Sequence, residues 1–167
     1  MKVMEKRIKP SQDVFGLAVF ITLCLLVSGI GGAITATSVG TWYQALLKPP
    51  FNPPDWVFGP VWVTLYLFMA VAGWRVWRRA GLWPGRRAFT VFAMQLGLNL
   101  AWSFLFFGLR RIDLALGEIV FLLVFIAANT VLFWRIDRLA GVLFVPYLLW
   151  VAYATALNAS LWLLNST

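Results

Sequence analysis

The chain has 167 residues, of which 62% are hydrophobic and 12% charged, with a formal net charge of +8. That balance excludes a water-soluble fold, which would leave too much apolar surface in water. With no histidine and a single cysteine, Cys24, it also excludes an internal disulfide, a His/Cys metal centre and the Ser/His/Asp or Cys/His nucleophile arrangements.

No metal or cofactor is expected. Ten tryptophans and fourteen phenylalanines exceed what two interfacial belts need, so part of the aromatic complement is expected to face inward.

In chain order, Lys2, Lys6, Arg7 and Lys9 precede the first apolar run and resemble a signal-peptide n-region. The run is too long for a signal peptide and lacks an A-x-A site followed by a soluble domain, so it reads as a retained first span. Five stretches are long enough for about 20 helical residues in a bilayer, near 14–37, 56–77, 88–109, 114–134 and 142–164. The expected fold is an all-α integral membrane protein, a five-transmembrane-helix bundle forming a single domain over residues 1–167.

The connections after the second, third and fourth stretches are short and polar, as turns at a membrane surface are. The first, residues 38–55, is long and rich in proline and tryptophan. Its TWYQALL segment predicts a short interfacial helix that stops before Lys48, because helix is disfavoured ahead of proline. Pro49, Pro50, Pro53 and Pro54 predict a stiff polyproline-like strip with little need of hydrogen-bond partners near the bilayer. Such a strip suits a lid over a cavity in the bundle that takes a flat or elongated hydrophobic molecule.

Eleven of the fourteen cations fall on one side of the five spans and only Lys48, Arg110 and Arg111 on the other. Cationic loops stay inside, so the amino terminus is expected in the cytoplasm, and the lid and carboxyl terminus outside. This pattern points to an inner or plasma membrane. It also accounts for the positive charge without a nucleic-acid partner.

The third span reads AFTVFAMQLGLNLAWSFLFFG. Ala93, Gly97 and Ala101 recur every four residues, a small-xxx-small face suited to a closely approaching helix and the expected seam of a homodimer. Gln95, Asn99, Trp102 and Phe106 lie on roughly the opposite face. Amides within hydrocarbon need partners, so Gln95 and Asn99 either bridge helices or meet a ligand.

In the fifth span Trp150, Ala154, Asn158 and Trp162 also recur every four residues, and the small Ala154 leaves room between a ring and an amide. Ser28, Gly29, Gly32, Ala33 and Ala36 predict close helix contact for the first span. Glu118, about one turn into a span, is expected at the interface, and the scarcity of carboxylates argues against a proton-coupled transporter.

Three ordered motifs, WYQALLKPPFNPPDWVFGPVWVTLY (42–66), QLGLNLAWSFLFFG (95–108) and PYLLWVAYATALN (146–158), resemble the TspO/MBR family of tryptophan-rich sensory and translocator proteins. The resemblance spans nearly the whole chain and is to bacterial-type members, which implies a bacterial cell membrane. It implies a five-helix bundle, usually dimeric, whose first long loop closes a pocket for porphyrins and, in mitochondrial members, for cholesterol and drug-like ligands.

By position the pocket draws on Trp42, Pro53, Trp56 and Trp62, on Asn99 and Trp102, and on Trp150, Ala154 and Leu157. The faces read above add Gln95, Phe106 and Asn158. Many bacterial relatives carry tryptophan where this chain has Phe51. The mitochondrial cholesterol motif has no counterpart, since Ala159 and Leu163 stand near the places of its tyrosine and arginine.

The expected function is a membrane receptor or carrier for tetrapyrroles, heme among them, and other hydrophobic ligands. Indoles would stack on the macrocycle, and Lys48, Arg110 and Arg111 would contact its propionates. No catalytic residue is named for this reading. A second is an enzyme that degrades protoporphyrin IX under light through tryptophan radicals, with Trp42 and Trp150 as the reactive pair. A third is a regulatory membrane protein that senses ligand and signals through the basic loop at residues 75–87.

Overall fold

The computed structural model describes residues 10–166, among which there are six helices. Lys2, Lys6, Arg7 and Lys9 lie outside the described residues. The helices are α1 (Pro10–Ala36), the single turn α2 (Trp42–Ala45), α3 (Phe58–Ala80, entered through a 3₁₀ turn at Asp55–Val57), α4 (Arg86–Ser103), α5 (Ile112–Ile136) and α6 (Arg138–Asn165). All but α2 belong to five segments long and apolar enough to cross a membrane, so the chain is an integral membrane protein.

Several helix ends, both ends of α5 and α6 among them, reach past the apolar runs that predict them because they are polar turns. Arg78 and Arg79 close α3, where cations oppose the helix dipole. The carboxylate of Asp137 accepts from the Ala140 N–H at 3.0 Å and caps α6. The connection expected between the fourth and fifth spans thereby shrinks to Asp137 alone.

The proline segment is not one extended strip. Leu46 (ψ 144°) and Pro54 (φ −58°, ψ 141°) are polyproline-like. Between them the Asn52 N–H donates to the Pro49 carbonyl at 3.0 Å and turns the chain. The hydroxyl of buried Tyr43 donates to Asn52 Oδ1 at 2.7 Å and pins that turn to the bundle. TWYQALL supplies only the one turn of α2.

Two poles follow from these contacts. At the basic pole, where α1 and α6 begin, Arg78 pairs with Asp13 at 3.0 Å, and Arg75 and Arg79 pair with Asp137 at 3.0 and 2.8 Å. At the loop pole, Ser38 donates to the Phe107 carbonyl at 2.8 Å, Tyr153 to that of Phe51 at 2.6 Å, and Asn165 bonds both backbone groups of Leu47 at 3.0 Å.

The half nearer the basic pole is solid. Phe20, Phe89, Phe92, Phe133 and Phe144 form a chain of ring contacts with centroids 5.0–6.4 Å apart. Each such pair contributes about 0.5–1.5 kcal/mol beyond area burial. There α1 and α3 meet at two glycines: Gly16 lies against Trp77, and a Cβ on Gly73 would stand 2.8 Å from the Phe20 ring.

Above this plug runs a buried polar chain. Tyr66 donates to Asn99 at 2.7 Å, Asn99 to the Tyr147 hydroxyl at 2.9 Å, and Tyr147 to Gln95 at 3.0 Å. It joins α3, α4 and α6 and satisfies two amides that hydrocarbon could not.

Candidate functional site

That polar chain is the floor of a cavity of about 440 Å³ in the hollow half of the bundle, within the range of about 300–1,000 Å³ usual for small-molecule sites. Its α4 wall begins with Asn99 and Trp102 and continues into Phe106 and Phe107, which belong to a π-helical turn at Phe104–Gly108. There Leu109 N–H reaches back five residues to Phe104 O at 2.8 Å. The wider turn lets two consecutive phenylalanines both sit buried, and single π turns of this kind recur at functional sites. Trp102 stacks on Phe106, with centroids 5.1 Å apart and planes at 24°.

On α6 the wall is Trp150, Ala154, Leu157 and Asn158; on α3 it is Phe58, Trp62 and Tyr66; Tyr43 contributes from the connection.

The model of the TspO/MBR family matches residues 20–163. The chain belongs to the TspO/MBR family. It is 37% identical to the tryptophan-rich protein TspO of Archaeoglobus fulgidus, over 93% of this chain and all of that one. It is 43% identical to the tryptophan-rich sensory protein of Cereibacter sphaeroides, over 74% of this chain and 77% of that one. Identity to the translocator protein of Homo sapiens is 39%, over 72% and 73%.

Of the residues that the TspO/MBR motifs and helical faces nominate, the cavity gathers Trp62, Asn99, Trp102 and Phe106 together with Trp150, Ala154, Leu157 and Asn158. Four others stand outside its lining. Gln95 lies in the floor, wholly buried, donating to Met69 Sδ at 3.7 Å while accepting from Tyr147, so it bridges helices. Trp42 sits behind the wall, its ring edge-on to Phe106 at 5.6 Å. Pro53 is half-buried in the connection.

Trp56 is 75% exposed. In a 3₁₀ turn residues three apart share a direction, so Asp55 and Phe58 both reach the cavity and Trp56 points elsewhere.

Sequence reasoning missed Tyr43, Phe58, Tyr66, Phe107 and the α1 lining. The small residues of α1 do not make the expected helix contact. Ser28, Gly29, Gly32 and Ala36 line the cavity, and a Cβ on Gly29 or Gly32 would meet nothing within 4 Å. Gly29, Gly32 and Ala36 on α1, like Gly59 and Val63 on α3, are exposed, and a Cβ on Gly59 would also meet nothing within 4 Å. The two helices, clasped at the basic pole, are therefore parted at the loop pole, and the cavity opens between them.

The cavity's amides are already committed. Both polar atoms of Asn99 serve the floor, and Asn158 accepts from Trp102 Nε1 at 3.1 Å and donates to the Ile112 carbonyl at 3.0 Å. Trp150 Nε1, by contrast, is a buried donor with no partner among the described residues.

None of the three cations expected to hold propionates lines the cavity. Lys48 donates to the Gln44 carbonyl at 3.1 Å and lies 4.9 Å over the Tyr43 ring. Arg111 is engaged by Asp113 through two hydrogen bonds at 2.9 and 2.6 Å. Arg110 is exposed, its backbone in the left-handed region at φ 56°. Glu118, expected at the interface, instead has both carboxylate oxygens buried with no partner among the described residues.

Proposed function

We propose that this TspO/MBR protein is a membrane receptor or carrier that takes a porphyrin or a similarly flat hydrophobic molecule into the cavity, with residues 37–54 as its lid. The observation that carries this reading is the wall itself. Trp62, Trp102, Trp150 and Phe106 surround a space whose amides are spent on the protein's own hydrogen bonds, so aromatic faces are what the cavity offers a ligand. A planar conjugated ring gains about 0.5–1.5 kcal/mol per offset stack beyond its burial.

The acidic edge of a porphyrin would emerge at the loop pole toward Lys48 and Arg110, with Arg111 available only by exchanging Asp113. The names of these relatives, a sensory protein and a translocator protein, support a ligand-handling role in a membrane. The protein is further proposed to pair as a homodimer through Ala93, Gly97 and Ala101. Ala93 and Gly97 are exposed, and a Cβ on Gly97 would meet nothing within 4 Å.

The test is a titration of the purified protein in lipid nanodiscs with protoporphyrin IX, following tryptophan quenching in the dark and then absorbance under illumination. Saturable quenching that weakens in W102F/W150F and is lost in W102A/W150A, with helix content unchanged, is the expected result. No saturable quenching, or the same affinity in both double variants, refutes the stacking model. Protein-dependent bleaching of the porphyrin bands under light would replace the receptor with the degrading enzyme.

A further inference from the structure

We infer that the basic pole holds a second site, a recess for a phosphate oxyanion, presented by an acidic phospholipid headgroup or free in solution. It is an open recess of about 450 Å³ between the end of α3 and the α5–α6 turn, lined by Arg75, Arg79, Arg135 and Arg138 with Trp134 and Asp137. Four arginines and one aspartate line it, so its lining carries a charge of +3. Like charges gathered this closely repel one another, and an anion in the recess removes that penalty.

The arrangement is built from a buried centre outward. Asp137 is 2% exposed and fixed by its cap bond to Ala140. Its carboxylate takes Arg75 through Nη2 at 3.0 Å and Nε at 3.3 Å, and Arg79 through Nε at 2.8 Å. The aspartate thus positions two guanidinium groups while neutralising one charge, and both terminal nitrogens of Arg79 keep their donors. Arg135 and Arg138 are exposed and have no acidic partner among the described residues.

A merely solvated flank would spread its cations around the rim, as Arg86 does in lying over the Trp83 ring at 5.6 Å. Here four arginines line one recess, and forked guanidinium donors match phosphate oxygens. Trp134, 46% exposed at the edge of the recess, is a residue type that settles at headgroup depth. Basic pockets between membrane helices on the cation-rich side suit acidic headgroups. The inference stands apart from the porphyrin reading, which concerns the other pole.

The test is native mass spectrometry of the full chain in detergent, titrated with phosphatidylglycerol and, separately, with phosphatidylcholine, with inorganic phosphate as a competitor. R135Q/R138Q removes two charges that no described acidic residue pairs with, and R86Q/R87Q removes two from the first turn of α4. Wild type is expected to retain one phosphatidylglycerol per chain in preference to phosphatidylcholine. R135Q/R138Q should bind it roughly thirtyfold more weakly, while R86Q/R87Q binds as wild type does.

Displacement of the lipid by inorganic phosphate would assign the site to the oxyanion in either form, and retention against phosphate would assign it to the lipid. Equal retention of the two lipids, or equal losses in the two double variants, overturns the inference.

Discussion

Asp137 joins three elements through one side chain, capping α6 and holding Arg75 and Arg79 of α3 at the end of α5. Asp137→Ala removes the cap and strands two guanidinium groups, and is expected to destabilise the protein by about 2–4 kcal/mol. Thermal unfolding in detergent reads this, and Asp137→Asn, which keeps an oxygen for Ala140, should lose less. Burial pushes the Asp137 carboxyl up, but the Ala140 N–H and the two arginines outweigh it and hold the group below the usual carboxylate range.

A depressed folded pKa stabilises fully above the unfolded value, near 3.9, and the benefit fades as pH falls through the folded one. The stability gap between wild type and Asp137→Ala should accordingly be flat at neutral pH and narrow only below about pH 4.

Trp150 makes the complementary case, a buried N–H without an acceptor among the described residues. Trp150→Phe should leave stability unchanged or slightly higher while weakening a ligand that offers that N–H an acceptor by roughly three- to tenfold, seen in the quenching titration.

Two glycines separate the outer faces of the helices from the inner ones. A Cβ on Gly141 would stand 2.8 Å from the Trp134 Cα, a backbone atom that cannot swing aside, so Gly141→Leu is expected to force α5 and α6 apart and lower the unfolding midpoint sharply. Gly97 faces open space, so Gly97→Leu should spare the midpoint and abolish a crosslinked dimer, if α4 is the seam. A Gly97→Leu protein that still crosslinks as a dimer would move the seam elsewhere.

The five spans were legible because each is a predominantly apolar run of spanning length, and most of the α4 and α6 cavity faces because helical period fixes direction. Other features were not. FLFFG fits an ordinary helix by pattern, and only the Leu109 to Phe104 bond makes it a π turn. Trp162 continues the four-residue stripe on paper, but twelve residues past Trp150 it has drifted by about 120° and is 40% exposed. The α1 glycines look the same whether a helix or a void faces them.

At the scale of the molecule, one half is an aromatic plug and the other a chamber, and the division coincides with where α1 and α3 touch. Their contact at Gly16 and Gly73 clasps the basic pole, while Gly29, Gly32 and Gly59 leave the loop pole ajar. A Cβ at Gly32 would meet nothing within 4 Å, so Gly32→Phe should fold normally yet slow porphyrin association in stopped-flow quenching. An unchanged rate would mean that ligand arrives beneath the lid instead.

The gap between α1 and α3 lies along two membrane-spanning segments, and if Gly32→Phe slows association, the bilayer is the reservoir from which the proposed chamber fills. By that route a hydrophobic ligand would reach it after dissolving in lipid, and occupancy would follow mole fraction in the membrane and not molarity in the buffer. Diluting the same amount of protein and ligand into twice as much lipid should halve the effective supply with the water volume held constant. A dissociation constant quoted per litre of buffer would then be a property of the lipid-to-protein ratio as much as of the indoles.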